Sequence, residues 1–229
     1  MKLEKKNVFI TGTSGGLGLE LAKEFVENGF CVFGTGTNLE RIESAKKYVA
    51  TTNFHIFNCN NNNEAETAEI LSQIISLDIY INNAGIYLDG IVTNNSIQKI
   101  KSVIETNLIG GIISTQLVLA KMEKQGYGII VDINSNVSLK PKSNRSIYTA
   151  AKKGFDDFID CVKLDYPQLK FVSVYPAGMK TDLHAKSGNP HSDYDLFLDP
   201  RVVANQIVQN LLLDSSQIKT KQYFERERK

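Results

Sequence analysis

The sequence predicts a doubly wound α/β domain, a single parallel sheet of about seven strands with helices on both faces. Three observations predict it. Short apolar runs recur along the chain, longer stretches with helical spacing separate them, and a glycine-rich turn joins the first run to the first helical stretch. Strands that are apolar on both faces must be covered on both, and helical crossovers provide that cover.

The first run, Val8-Phe9-Ile10, leads through Thr11-Gly12-Thr13-Ser14-Gly15-Gly16-Leu17-Gly18 into Leu17, Leu21 and Phe25, spaced for one helix face. Cys31-Val32-Phe33 is the second strand and Phe54-His55-Ile56-Phe57 the third; the polar run Asn60 to Asn63 after it reads as a loop. Ile79-Tyr80-Ile81 is the fourth, Ile129 to Ile133 the fifth, and Phe171-Val172-Ser173-Val174 the sixth. Tyr148, Ala151, Phe155, Phe158 and Val162 have helical spacing between the last two. Ile218 to Phe224 is expected as a seventh strand. No repeat or second domain is visible, so residues 1–229 form one domain. Residues 182–198 are polar, contain His184, Gly188, Pro190 and His191, and are expected to be a substrate lid.

Composition excludes several classes. A net charge of +1 gives no footprint for nucleic acid or an anionic membrane. No run approaches about 18 apolar residues, so no membrane span is expected. The first six residues run into a strand too short for a signal h-region, which makes the cytoplasm the expected compartment. Cys31, Cys59 and Cys161 are far apart and odd in number; each is expected to be a small buried hydrophobe rather than part of a disulfide or zinc site. Neither lid histidine has a second ligand at metal spacing, so no metal is expected.

Two features carry chemistry. The glycine turn between strand and helix lets backbone N–H groups approach a pyrophosphate at the positive end of a helix, with Gly12, Ser14, Gly16, Leu17 and Gly18 as candidate contacts. Tyr148 and Lys152 stand four apart, with Ser135 thirteen residues upstream. The chain's other Tyr-x-x-x-Lys match, Tyr166 to Lys170, contains Pro167, which breaks a helix. Reducing a carbonyl needs a hydride at carbon and a proton at oxygen, and an unperturbed phenol is a poor base at neutral pH. On one helix face, a lysine charge about 4 Å from the phenolate contributes about 4 kcal/mol at an effective dielectric near 20, or about three pKa units. Ser135 can hydrogen-bond the substrate oxygen.

In that order, the turn Thr11 to Gly18, Asn82-Asn83-Ala84-Gly85, Asn107, Ser135, Tyr148 with Lys152, and Pro176-Ala177-Gly178-Met179-Lys180-Thr181 resemble the short-chain dehydrogenase/reductase family, over roughly residues 5 to 210. The resemblance implies an NAD(P)(H)-dependent oxidoreductase interconverting a ketone or aldehyde and its alcohol. Tyr148 would be general acid/base, Ser135 would orient the carbonyl, and Lys152 would also hold the nicotinamide ribose. Asn107 would fix a water relaying protons to bulk. Pro176, Gly178 and Thr181 would hold the carboxamide, while Thr37, Asn58, Asn83, Ala84 and Gly85 would flank the adenosine side. Asn58 stands where an aspartate usually contacts adenine, Ala177 replaces a glycine and is expected to shift its loop, and Asn134 replaces a common serine with little expected consequence. The resemblance also implies a homodimer or homotetramer, for which Ile109, Ile112, Ile113, Val118, Phe155 and Phe158 could serve, or serve the core instead.

After the second strand, Gly34 to Asn38 contains no carboxylate to hold a ribose 2′-hydroxyl, which favours NADP(H) over NAD(H), although Arg41 is several residues on. The substrate is left open among small carbonyl compounds and 3-oxoacyl-carrier thioesters. Lys140, Lys142 and Arg145 are read as a solvated loop rather than an anion trap. The alternative is a non-catalytic nucleotide-binding sensor or subunit, which loss of Ser135, Tyr148 or Lys152 would have supported, though all three are present; an extended epimerase or dehydratase is expected to be longer.

Overall fold

The computed structural model describes residues 6–185 and 194–226. In chain order the elements are β1 (Asn7–Ile10), α1 (Gly16–Glu27), β2 (Cys31–Gly36), α2 (Leu39–Val49), β3 (Phe54–Asn58), α3 (Glu64–Ser72), β4 (Ile79–Asn82), α4 (Ile97–Ile104), α5 (Gly110–Gln125), β5 (Ile129–Ile133), α6 (Asn136–Leu139), α7 (Ser146–Asp165), β6 (Lys170–Pro176), α8 (Asp182–Ala185), α9 (Pro200–Leu211) and β7 (Lys221–Phe224). The seven strands form one parallel sheet in the order β3-β2-β1-β4-β5-β6-β7. The expected fold and the seventh strand are both present. Strand order reverses at β1, whose Ile10 is in register with Gly34 of β2 and Ile81 of β4. That switch point opens the crevice in which such sheets bind ligands.

Successive β1 residues face opposite sides of the sheet, as a period of two requires. Val8 and Ile10 pack with Leu21, Phe25, Ala204 and Ile207 from α1 and α9. Phe9 packs on the other face with Tyr80, Leu119, Met122, Ile130 and Phe155, which come from β4, α5, β5 and α7. The buried stripe of α7 is Tyr148, Ala151, Lys152, Phe155, Asp156, Ile159 and Val162. The spacing that seats this helix on the sheet therefore also aims Tyr148 and Lys152 inward.

One expectation is corrected: of the three cysteines expected to be buried, Cys31 and Cys161 are not. Ile97–Gln125 is continuous helix, long and apolar enough by length and composition to cross a bilayer, although its sequence is nowhere uniformly apolar. Here it packs against α3 and α7 and buries Asn107, Ser114 and Thr115. Val118 and Phe155 are core residues, whereas Ile109 is exposed. Of the cysteines, Cys59 is buried, Cys31 half-buried and Cys161 exposed, because Cys161 lies off the buried stripe of α7. Residues 186–193 of the expected lid, with Gly188, Pro190 and His191, lie outside the described residues.

Candidate active site

The carboxyl ends of the strands surround a cleft of about 470 Å³. Its floor is the β1–α1 turn. Gly12 has φ +74°, a conformation that suits glycine. A β-carbon at Gly18 would lie 2.2 Å from the Gly12 carbonyl oxygen, so only glycine lets α1 start this close to the turn. Neighbouring strands brace the turn. The Thr11 hydroxyl accepts the N–H groups of Asn83 and Ala84, both at 3.0 Å. Asn83 Nδ2 donates to the carbonyls of Thr11 at 2.9 Å and Gly12 at 3.0 Å. Gly12 N–H donates to the Thr35 hydroxyl at 3.2 Å. The N-cap of α1 is Gly15, with no side-chain cap and no acidic residue in the first turn. The orphan N–H groups and positive end of that helix thus face the cleft, which fits a dinucleotide pyrophosphate.

On the other side of β1, Thr37 and Asn38 line the cleft with Arg41. The Asn38 side chain caps α2 by accepting from Arg41 N–H at 2.9 Å, and the Arg41 guanidinium pairs with Asp182 at 2.5 Å. That brings a cation into the cleft which linear spacing had left remote. Asn58 is corrected: it is exposed and does not line the cleft, where Cys59, Asn60 and Asn61 stand instead. Asn58 is on the same strand face as the buried Phe54 and Ile56, but it is the last residue of β3 and is exposed there. Burial pushes the Cys59 thiol up to about 11, which leaves it unreactive.

Ser135, Tyr148 and Lys152 converge on the opposite wall. Ser135 follows β5 and caps the short α6, its hydroxyl accepting from Val137 N–H at 3.4 Å. Tyr148 is buried with Val137 and Tyr87, and the two tyrosine rings meet edge-to-face at 5.0 Å. Lys152 Nζ is buried and donates to the Ile133 carbonyl at 2.7 Å. The electrostatics differ from the sequence expectation. Burial holds the Tyr148 phenol above its ordinary value, and a hydrogen bond with Ser135 works against this. The two side chains share a helix face, but the lysine turns toward β5. Burial lowers the Lys152 ammonium, and the Asp132 carboxylate opposes that fall.

Asn107 is buried behind the cleft and does not line it. It lies in a π-helical turn, Glu105–Ile109, between α4 and α5, a feature that recurs at functional sites. Its side chain accepts from Ile86 N–H and donates to the Ile86 carbonyl, both at 2.8 Å, fixing the segment after Gly85. Pro176 at the end of β6, with Gly178 and Thr181 after it, lines the cleft. Gly178 carbonyl accepts from Leu198 N–H at 2.9 Å, tying this segment to the far end of the lid region, and Ala177 N–H donates to Phe224 of β7 at 2.8 Å.

Asn134 corrects a further expectation. It is buried, and its side chain makes three hydrogen bonds. The amide nitrogen donates to Asp132 Oδ2 at 2.9 Å and to the Lys152 carbonyl at 3.2 Å. The amide oxygen accepts from Ser135 N–H at 2.8 Å. Asp132 was missed because alternation inside an apolar strand does not mark a buried carboxylate; a charged residue within Ile129 to Ile133 was the available signal.

The profile of the short chain dehydrogenase family matches residues 6–191. The chain belongs to this family. It is 31% identical over 188 residues to the 3-oxoacyl-[acyl-carrier-protein] reductase of Buchnera aphidicola subsp. Schizaphis graminum, covering 80% of this chain and 77% of that protein. Acetoacetyl-CoA reductase of Acinetobacter sp. is 32% identical over 164 residues, covering 68% and 66%. Among solved structures, the alcohol dehydrogenase of Thermococcus sibiricus complexed with 5-hydroxy-NADP superposes with a TM-score of 0.87 at 18% identity, covering 99% of this chain and 100% of that one. This short-chain dehydrogenase is an NAD(P)-dependent oxidoreductase, and its glycine turn, Ser135, Tyr148 and Lys152 stand around one cleft.

Proposed function

We propose that this enzyme reduces a small ketone or aldehyde with NADP(H), reversibly, with Tyr148 handing the proton to the carbonyl oxygen and Ser135 orienting that oxygen. The observation that carries the reading is the joint burial of Tyr148, Ser135 and Lys152 on one wall of a cleft whose floor is a glycine-braced helix N-terminus. The nicotinamide cofactor supplies or accepts the hydride when bound. The α1 turn, with Gly12, Ser14, Gly16, Leu17 and Gly18, would hold its pyrophosphate, Thr37 and Ala84 its adenosine side, and Pro176, Gly178 and Thr181 its carboxamide. Asn83 and Asn107 brace these contacts through backbone groups.

Tyr148 is protonated in its buried setting and so is ready to donate in the direction of reduction. Lys152 stands one turn along, its charge available to the ribose and to a phenolate formed as the proton leaves. The preference for NADP(H) draws support from two facts: no carboxylate lies between Gly34 and Asn38, and the Arg41 side chain lines the cleft. A second reading, a 3-oxoacyl-carrier thioester as substrate, draws support from the acyl-carrier-protein reductase relative. A cytoplasmic homodimer or homotetramer is also proposed; Ile97 and Ile109 are exposed on the α4–α5 helix and could be covered by a second copy.

The test is nicotinamide absorbance with NADPH and NADH over a panel of ketones and acyl thioesters. The reading expects turnover with at least one carbonyl class and a higher kcat/KM for NADPH. A strong preference for NADH would overturn the cofactor assignment, and thioester-only activity would select the second substrate reading.

A further inference from the structure

Behind the proposed catalytic wall lies a buried polar network that carbonyl reduction itself does not require. Asp132 sits one residue from the carboxyl end of β5, almost wholly buried, with paired strands on both sides. Asn82 of β4 donates to its Oδ1 at 3.3 Å and Asn134 to its Oδ2 at 2.9 Å. The groups facing it by charge are Lys152, Tyr148 and Asp156 on α7, Tyr80 on β4 and Tyr175 on β6. Asp156 is itself engaged by the Tyr175 hydroxyl at 2.8 Å, which leaves Lys152 as the cation among these groups.

A buried carboxylate is costly, and a hydrophobic or neutral residue at such a place commonly gives a more stable protein. Burial pushes the Asp132 carboxyl up to about 6, with Lys152 and the two asparagines pulling it back. Its connections point to what the cost serves. Through a single amide, that of Asn134, it reaches both the Ser135 N–H and the Lys152 carbonyl. One carboxylate thus sets the rotation of the side chain that holds the serine and the lysine turn in register.

We propose that Asp132, acting through Asn134, is a positioning residue for the active site, fixing Ser135 against the Lys152 turn of α7. The inference rests on the roles proposed above for Ser135, Tyr148 and Lys152. Neither Asp132 nor its partner amide needs to touch substrate. The pair stands in this chain as Asp132-Ile133-Asn134, so that the carboxylate orients the amide and the amide orients the site.

The decisive variant is Asp132→Asn. It has a route to satisfaction inside the fold: the new amide oxygen can keep the Asn134 bond, and the new N–H group can be accepted by Asn82 Oδ1, which has no partner among the described residues. Asn82 need only rotate its amide. Asn134→Ser and the double variant complete a cycle. Measured together are kcat, KM, NADPH affinity by nucleotide fluorescence, the pH profile of kcat and thermal unfolding by circular dichroism.

The expected result is a kcat lowered about tenfold or more in each single variant, with NADPH affinity held within about twofold and the Asp132→Asn unfolding temperature unchanged or raised. The double variant should be no slower than the slower single variant, since both act on one link. The alkaline limb of the Asp132→Asn profile should move to lower pH, because an ammonium without its carboxylate gives up its proton more readily. Unchanged kcat, multiplicative losses in the double variant, or loss of turnover, nucleotide affinity and thermal stability together would overturn the proposal. A Tyr148→Phe control separates the two layers: an active Tyr148→Phe enzyme would strike the reading of the site itself, whereas an inactive one beside an unaffected Asp132→Asn strikes only this inference.

Discussion

Replacing Gly18 with alanine puts a β-carbon 2.2 Å from the Gly12 carbonyl oxygen and 2.4 Å from Asn83 Nδ2. The first of these atoms is backbone and cannot rotate away. The helix cannot retreat cheaply either, because Leu21, Ala22 and Phe25 on α1 are fully buried against the core. The turn and Asn83 must therefore yield. Forcing a methyl into packed backbone costs about 1–3 kcal/mol. Losing the two Asn83 hydrogen bonds to Thr11 and Gly12 adds about 1 kcal/mol each. Alanine in a helix returns about 1 kcal/mol over glycine, leaving a net loss of about 2–4 kcal/mol. For a chain of this length that is a fall of about 5–15 °C in Tm. The displaced turn is also the proposed pyrophosphate floor, so NADPH affinity should weaken by about tenfold or more. Thermal unfolding by circular dichroism and titration of NADPH fluorescence read the two effects. A Gly18→Ala protein with Tm within about 2 °C of the parent and unchanged nucleotide affinity would refute the close-approach argument.

Three further outcomes are expected. Lys152→Ala should weaken nucleotide binding and turnover together, as measured by NADPH titration and steady-state rates, because one buried ammonium serves both; a selective effect on either would split its roles. Arg41→Ala should lower kcat/KM for NADPH by about tenfold or more while leaving NADH nearly unchanged, since a charge-assisted bond to a phosphate is worth about 1.5–3 kcal/mol. In urea denaturation, Asp132 should make the protein lose stability as pH rises. Its native carboxyl lies at about 6, above the unfolded value of 3.8, so the native state holds the extra proton. The contribution is present below about pH 4 and is lost as pH passes through about 6, amounting to about 3 kcal/mol; Asp132→Asn should abolish that slope.

The elements that the sequence made legible are those in which local pattern and tertiary demand agree. Val8-Phe9-Ile10 and its counterparts are apolar on both faces because helices cover both, and the stripe Tyr148 to Val162 is the one that packs. Gly12 and Gly18 were visible because no other residue permits the turn. The signals that failed depend on where side chains end rather than where they begin. Asn58 has the family position, but at the last residue of β3 it is exposed while Cys59, Asn60 and Asn61 line the cleft. Arg41 is remote along the chain, yet its long side chain returns to the cleft and meets Asp182. Asn134 looked inconsequential because one-dimensional spacing cannot show that a single amide reaches Asp132, Ser135 and Lys152. Lys152 was expected to lower the Tyr148 phenol through proximity on a helix face, whereas its ammonium is directed to Ile133.

The most direct measurement is single-turnover oxidation of bound NADPH by a carbonyl that the wild-type enzyme reduces, compared with Tyr148→Phe. Removing one hydroxyl should leave the nucleotide bound and slow hydride transfer by about a hundredfold or more. Transfer at the parental rate in the phenylalanine variant would contradict the assignment of the proton to that phenol.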